Sequence, residues 1–249
     1  MMPNWRLEWP HITVIVLLFT LAAIVWPYAP AKIPSDNFVH PEVSVTTEGP
    51  SFDFEPIKLA RASAALNEGS ISKFPGLLIM PLAALVLEIG LLLIPWVDPG
   101  RPNYDQFAGA YAILRFAFIA FIAALYLIAV LQLFGYPINR HIAMTILQAL
   151  VFIVIGNLLG KVRPNWFVGI HNPWTLSSKL SWDRTHRVGG WMFMILGATF
   201  AVSVLFPIVV GAALTAAVVV VIAIGLTIYS FVLWRADPDK IPPAGTLPG

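Results

Sequence analysis

Cysteine is absent from all 249 residues, so disulfides, thiolate metal sites and a cysteine nucleophile are excluded. Charge is nearly as scarce. Asp, Glu, Lys and Arg make up 11% of the chain, where a soluble domain carries about a quarter. A chain with so little charge and 58% hydrophobic residues cannot coat a core against water, and must turn its apolar surface to lipid. A dense basic patch is also missing. The net charge is +2 and the basic residues are scattered between apolar runs, which argues against direct nucleic-acid binding. There is no Gly-x-Ser-x-Gly, no phosphate loop and no zinc-peptidase signature, so neither a nucleophile constellation nor a cofactor is implied.

What the sequence does contain is a series of apolar runs near the roughly 20 residues that a helix needs to cross the hydrocarbon core. They cover residues 11–26, 74–96, 112–134, 142–160, 191–209 and 212–234. The expected fold is an all-α polytopic membrane bundle of about six transmembrane helices. Its parts are an N-terminal transmembrane helix (1–27), an external loop (28–73), a transmembrane hairpin (74–134) and a region of three more helices (135–249). Pro207 and Gly211 make a short turn between the last two runs. The first run resembles a signal peptide, but a proline inside Ala29-Pro30-Ala31 argues against cleavage, and it is read as a retained helix.

Six crossings put both termini on one side. Ten Lys and Arg residues fall on that side and five on the other, so the termini are expected inside the cell. The external loop is expected to be extended around Pro34, Pro41, Pro50 and Pro56, with a short helix over 57–67. Trp9, Trp26, Trp96 and Trp234 sit at span edges, as interfacial anchors do.

The densest run of unusual residues is the cytosolic loop at 161–190. It opens where the fourth run ends, at Gly156, Asn157 and Gly160, with Lys161 and Arg163 placed for anionic headgroups. Pro164 stops the helix. Asn165, Trp166, Phe167, Gly169, Ile170, His171 and Asn172 follow, then Pro173, Trp174, Thr175, Leu176, Ser177 and Ser178. Either serine can cap a second short helix reaching Arg187, with Asp183 and Arg187 at ion-pair spacing. Gly189-Gly190 is expected to break that helix before the fifth span. Trp166, Trp174 and Trp182 are expected in the headgroup layer. The plain physical reading is an interfacial helix that anchors a loop.

The same residues carry a resemblance. Gly156, Asn157, Lys161, Arg163, Pro164, Asn165, Trp166, Phe167, Gly169 and Ile170 match, at fixed spacings, the opening of the motif of the SdpI family. The Pro173 to Ser178 turn and then Trp182, Thr185, His186, Arg187, Gly189 and Gly190 match its remainder. More loosely, Pro95-Trp96-Val97-Asp98-Pro99, Asn103-Tyr104 and the 111–115 stretch are similar to a domain of unknown function that often precedes it. The likeness covers about 74–197. His171-Asn172, Lys179-Leu180 and most of the external loop depart from the family pattern. The resemblance implies a multi-pass protein of a prokaryotic plasma membrane that confers immunity to a membrane-active peptide toxin, or transduces a signal by binding a cytosolic regulator. Its binding face would be the motif loop, with Arg163, Trp166, Trp174, Arg184, His186 and Arg187 leading.

Glu88 lies deep in the second run, where an ionisable group costs about 2.5–3.5 kcal/mol and calls for a partner. Reflection about Gly100-Arg101 places Arg115 at the same depth, and the two are expected to pair as a structural ion pair. A proton or substrate site is the minority reading. Asn157 is expected to bond between helices, while His11 and His141 at span starts need no special account. His171 and His186 with Asp183 make poor metal evidence at their spacing. Two alternatives stand beside immunity. One is a transporter or channel lined by Glu88, Arg115 and Asn157. The other is a membrane enzyme acting on lipid headgroups, with His186 as acid or base.

Overall fold

The structure is a computed structural model that describes residues 5–34 and 70–241. Its helices are α1 (Trp5–Val25), α2 (Lys73–Val97), α3 (Tyr104–Leu133), α4 (Arg140–Leu159), the one-turn α5 (Pro173–Leu176), α6 (Lys179–Ser203) and α7 (Ile208–Ala236). A 3-10 turn, Arg101–Asn103, joins α2 to α3. The all-α class holds, with one small addition. Strands β1 (Lys32–Pro34) and β2 (Ser70–Ser72) pair antiparallel and pin together the two ends of the segment between α1 and α2. The expected helix over 57–67 lies outside the described residues.

Five helices (α1, α2, α3, α4 and α7) are long and apolar enough to cross a membrane. Pro10, Pro81 and Pro95 lie inside α1 and α2, as membrane helices tolerate where neighbours satisfy the freed backbone. Helix α6 is the sixth member of the bundle but not a sixth apolar run. Its first turns carry Lys179, Asp183, Arg184, His186 and Arg187. The expected helix break at Gly189-Gly190 is absent, because α6 runs unbroken from Lys179 to Ser203. These glycines are a packing device instead. A Cβ on Gly190 would stand 2.6 Å from the Gly156 carbonyl oxygen, and one on Gly156 would stand 2.6 Å from that of Gly190. Gly197 touches the Ala149 backbone in the same way. Small residues let α4 and α6 approach backbone to backbone, which is how helices gain contact where no hydrophobic force drives them together.

The helices form two groups. In the first, α1, α2 and α3 close on a core of Leu18, Ala22, Leu77, Ala84, Ile119 and Tyr126. In the second, α6 runs between α4 and α7, with Leu196, Ile222 and Leu226 buried at the contact. Helix α3 also packs on α4 and joins the groups. Trp9 and Trp96 are exposed at helix ends, as anchors should be. Trp234 instead packs beside Phe231 under the Lys240 ammonium.

Candidate functional site

The loop between α4 and α6 folds back over the polar end of the bundle, and its asparagines and glycine do most of the shaping. Asn165 is buried and uses its whole amide. Its Oδ1 accepts from the Phe167 and Val168 backbone N–H groups at 2.9 and 2.6 Å. Its Nδ2 donates to the Arg163 and Val168 carbonyls, each at 2.8 Å. Gly169 then takes φ +138°, and a Cβ there would lie 2.4 Å from His186 Nε2. Only glycine satisfies both the left-handed backbone and that approach. Asn172 caps α5 in a reciprocal box with Thr175, and Ser178 caps α6 by accepting the Ser181 N–H at 2.9 Å.

Two tethers hold this loop to the rest of the protein. The first runs to the α2–α3 turn. Asp98, itself buried, accepts from the Gly100 N–H at 2.6 Å, the Tyr104 hydroxyl at 2.7 Å and the Trp166 N–H at 3.1 Å. Asn103 donates to the Pro164 carbonyl at 2.7 Å. The second runs to the last turns of α7 and the segment after it. The Ser178 hydroxyl donates to Asp237 at 2.5 Å, which holds that carboxyl below its usual range. Asn172 donates to the Ser230 hydroxyl, Ser181 to the Ser230 carbonyl, and Ile241 N–H to the Ser177 carbonyl.

Trp182 and His186 form the centre. Trp182 is fully buried, not in the headgroup layer, and donates its indole N–H to the Val162 carbonyl at 3.0 Å. It pairs by i,i+4 spacing with His186, ring on ring at 4.0 Å. His186 accepts the Ile170 N–H at Nε2 (2.9 Å), and Nδ1 lies 2.8 Å from the Trp182 carbonyl. A carbonyl can only accept, so Nδ1 carries the proton and the ring is neutral. His186 precedes the apolar part of α6, and burial, despite the Trp182 bond, pushes its pKa down to about 4. With both nitrogens taken by backbone, His186 has none left to offer a substrate. It is a lock rather than an acid or base.

The motif therefore divides in two. Asn165, Thr175, Ser178, Trp182, Thr185 and His186 are buried, with Pro164, Ser177 and Trp174 partly so. Trp174 packs against Phe231 of α7 with ring centres 5.3 Å apart. Lys161, Arg163, Trp166, Phe167, Pro173, Arg184 and Arg187 remain exposed, as do Gly169 and His171. Asp183 pairs with Arg163 at 3.7 Å rather than with Arg187, an exposed contact of little energetic weight. His171 is drawn to the Asn165 carbonyl at 3.1 Å, so His171, His186 and Asp183 do not assemble a metal site. Asn157 is exposed on the last turn of α4 and makes no interhelical bond among the described residues.

This segment matches a known family. Residues 161–230 correspond to the SdpI/YfhL protein family. The chain carries an SdpI-family region. That region covers the motif loop, α5, α6 and α7 as far as Ser230, the residue that receives the Asn172 bond. Residues 74–160, including the stretch similar to a preceding domain, lie outside the match. Neither curated proteins nor solved structures give a significant match.

Beyond the SdpI-family region, the expected Glu88–Arg115 pair forms, with Arg115 Nη2 2.5 Å from Glu88 Oε1. Sequence reasoning missed a third member. Glu8 of α1 also binds the Arg115 guanidinium, through both carboxylate oxygens. It also missed His11, which is 2% exposed and bonded to the Ala112 carbonyl at 3.0 Å. Arg115 further forms part of the wall of an apolar cleft of about 250 Å³ between α2, α3, α4 and α6. Val168, Gly169 and Ile170 of the motif loop line that cleft too. The loop and Arg115 thus border one space.

Proposed function

We propose that this membrane protein is an SdpI-like immunity or signalling protein whose motif loop presents a cationic, aromatic face to a cytosolic regulator. The observation that carries this is the division of the motif. Asn165, Thr175, Ser178, Trp182 and His186 of its buried half hold the loop, which leaves the exposed half for contact. That half exposes Lys161, Arg163, Lys179, Arg184 and Arg187 together with Trp166 and Phe167, a mix suited to an acidic protein surface. In this reading the face lies inside the cell, and a membrane-active peptide toxin is met on the opposite side.

The test is survival of a toxin-sensitive bacterium expressing the chain, challenged with membrane-active peptides. A Trp166→Ala/Arg184→Ala/Arg187→Ala variant is compared at matched membrane abundance. Protection that the variant loses supports the reading, and absence of protection in the unaltered chain removes it. Transport is the second reading, favoured by one observation: Arg115 and the motif loop line the same cleft. Flux into liposomes that is lost in Glu88→Gln would move the assignment there.

A further inference from the structure

Helices α1, α2 and α3 gather Glu8, His11, Glu88 and Arg115 outside the SdpI-family region, and two buried lone pairs there are unused. Glu88 bonds Arg115 through Oε1, while its Oε2 has no hydrogen-bond partner among the described residues, although Glu88 is 4% exposed. The Nε2 of His11 is taken by the Ala112 carbonyl. Because a carbonyl only accepts, Nε2 bears the proton and Nδ1 is a lone pair. That Nδ1 is buried and unpartnered as well. Buried acceptors without donors are costly and rare. These two belong to residues whose ligating atoms, together with that of Glu8, lie within 4.8 Å of one another.

Three features make this arrangement more than a crowd of acids. One histidine nitrogen and two carboxylate oxygens form a ligand set of the kind that holds zinc or manganese. The histidine lends its other N–H to a backbone carbonyl, the outer support that fixes tautomer and ring orientation in metal sites. The charge also leans one way. Two carboxylates against one guanidinium leave a net negative charge inside a helix bundle, and a cation offsets it.

We infer that Glu8, His11 and Glu88 bind a divalent first-row transition-metal ion of the Zn²⁺ type. Metal bonds of about 2.0–2.2 Å require the three ligand atoms, which lie within 4.8 Å of one another, to draw in around the ion. Arg115 is a positioning residue that holds both carboxylates toward the same point. The Glu8 side chain, 15% exposed at the start of α1, is the entry side.

The experiment uses the full chain in detergent, purified without a histidine tag, stripped with a chelator and titrated with Zn²⁺. Bound metal is measured by mass spectrometry and stability by thermal unfolding. The expected result is saturable binding of a single equivalent and a higher unfolding midpoint. His11→Phe retains both carboxylates and their Arg115 bonds, and keeps an aromatic ring beside Phe116, now 5.6 Å from the imidazole. It should weaken binding roughly tenfold or more. His11→Gln, which can still donate to the Ala112 carbonyl, should do the same if the aromatic variant misfolds. His171→Ala should bind like the unaltered chain. No saturable uptake, or uptake unchanged in both His11 variants, overturns the inference.

Discussion

The Ile170 backbone N–H donates to Nε2 of His186 at 2.9 Å, and this bond fastens the middle of the motif loop to the first turns of α6. It exists only while Nε2 carries a lone pair. Burial holds the His186 pKa at about 4 against an ordinary 6.5, so the unfolded chain binds the proton first as pH falls. Stability from this site is therefore full above pH 6.5 and declines as pH drops toward 4, by roughly 3 kcal/mol at most. Hydrogen exchange of the Ile170 amide should accelerate across that window. In His186→Gln the window should vanish, and an unchanged pH profile would show that another group governs it.

Gly169→Ala should damage the same lock without touching its charge. The new methyl group meets His186 Nε2 in a backbone region that L side chains rarely adopt. A loss of about 1–3 kcal/mol is expected. Gly109→Ala on the exposed face of α3, where a Cβ meets nothing within 4 Å, should be neutral or stabilise by about 0.5–1 kcal/mol. Thermal unfolding of the two variants side by side checks the contrast.

Gly156→Ala and Gly190→Ala should each force α4 and α6 apart, because each Cβ strikes the other helix's backbone, which cannot swing aside as a side chain can. The double variant should cost clearly less than the sum of the two, since one separation relieves both clashes. Simple additivity would mean that the helices yield locally instead.

Arg115→Gln should be the most disruptive change in the first group of helices. It strands Glu8 and Glu88 together, and leaving buried charge without its partner costs about 3–5 kcal/mol. Glu88→Gln should cost less, because the Glu8–Arg115 pair survives it. The comparison is read from membrane-inserted yield and unfolding midpoint. Equal effects would mean that Glu8 contributes nothing.

The sequence alone determined the elements whose signal is local. Apolar run lengths located α1, α2, α3, α4 and α7, since lipid demands the same hydrophobic length everywhere. Antiparallel reflection about one turn was enough to pair Glu88 with Arg115, and a cap was legible at Ser177 or Ser178, of which the structure uses Ser178. The tertiary structure decided whatever depended on which helices touch. Gly189-Gly190 reads as a helix breaker because glycine has low helix propensity. Between α4 and α6 the same glycines allow close contact, and that gain outweighs the propensity. Trp182 reads as an interfacial anchor by composition, yet the loop folding over it makes it core. Glu8, His11 and Asp237 carry no motif of their own. Each takes its role from a partner far along the chain, or across a helix contact, that hydropathy does not encode.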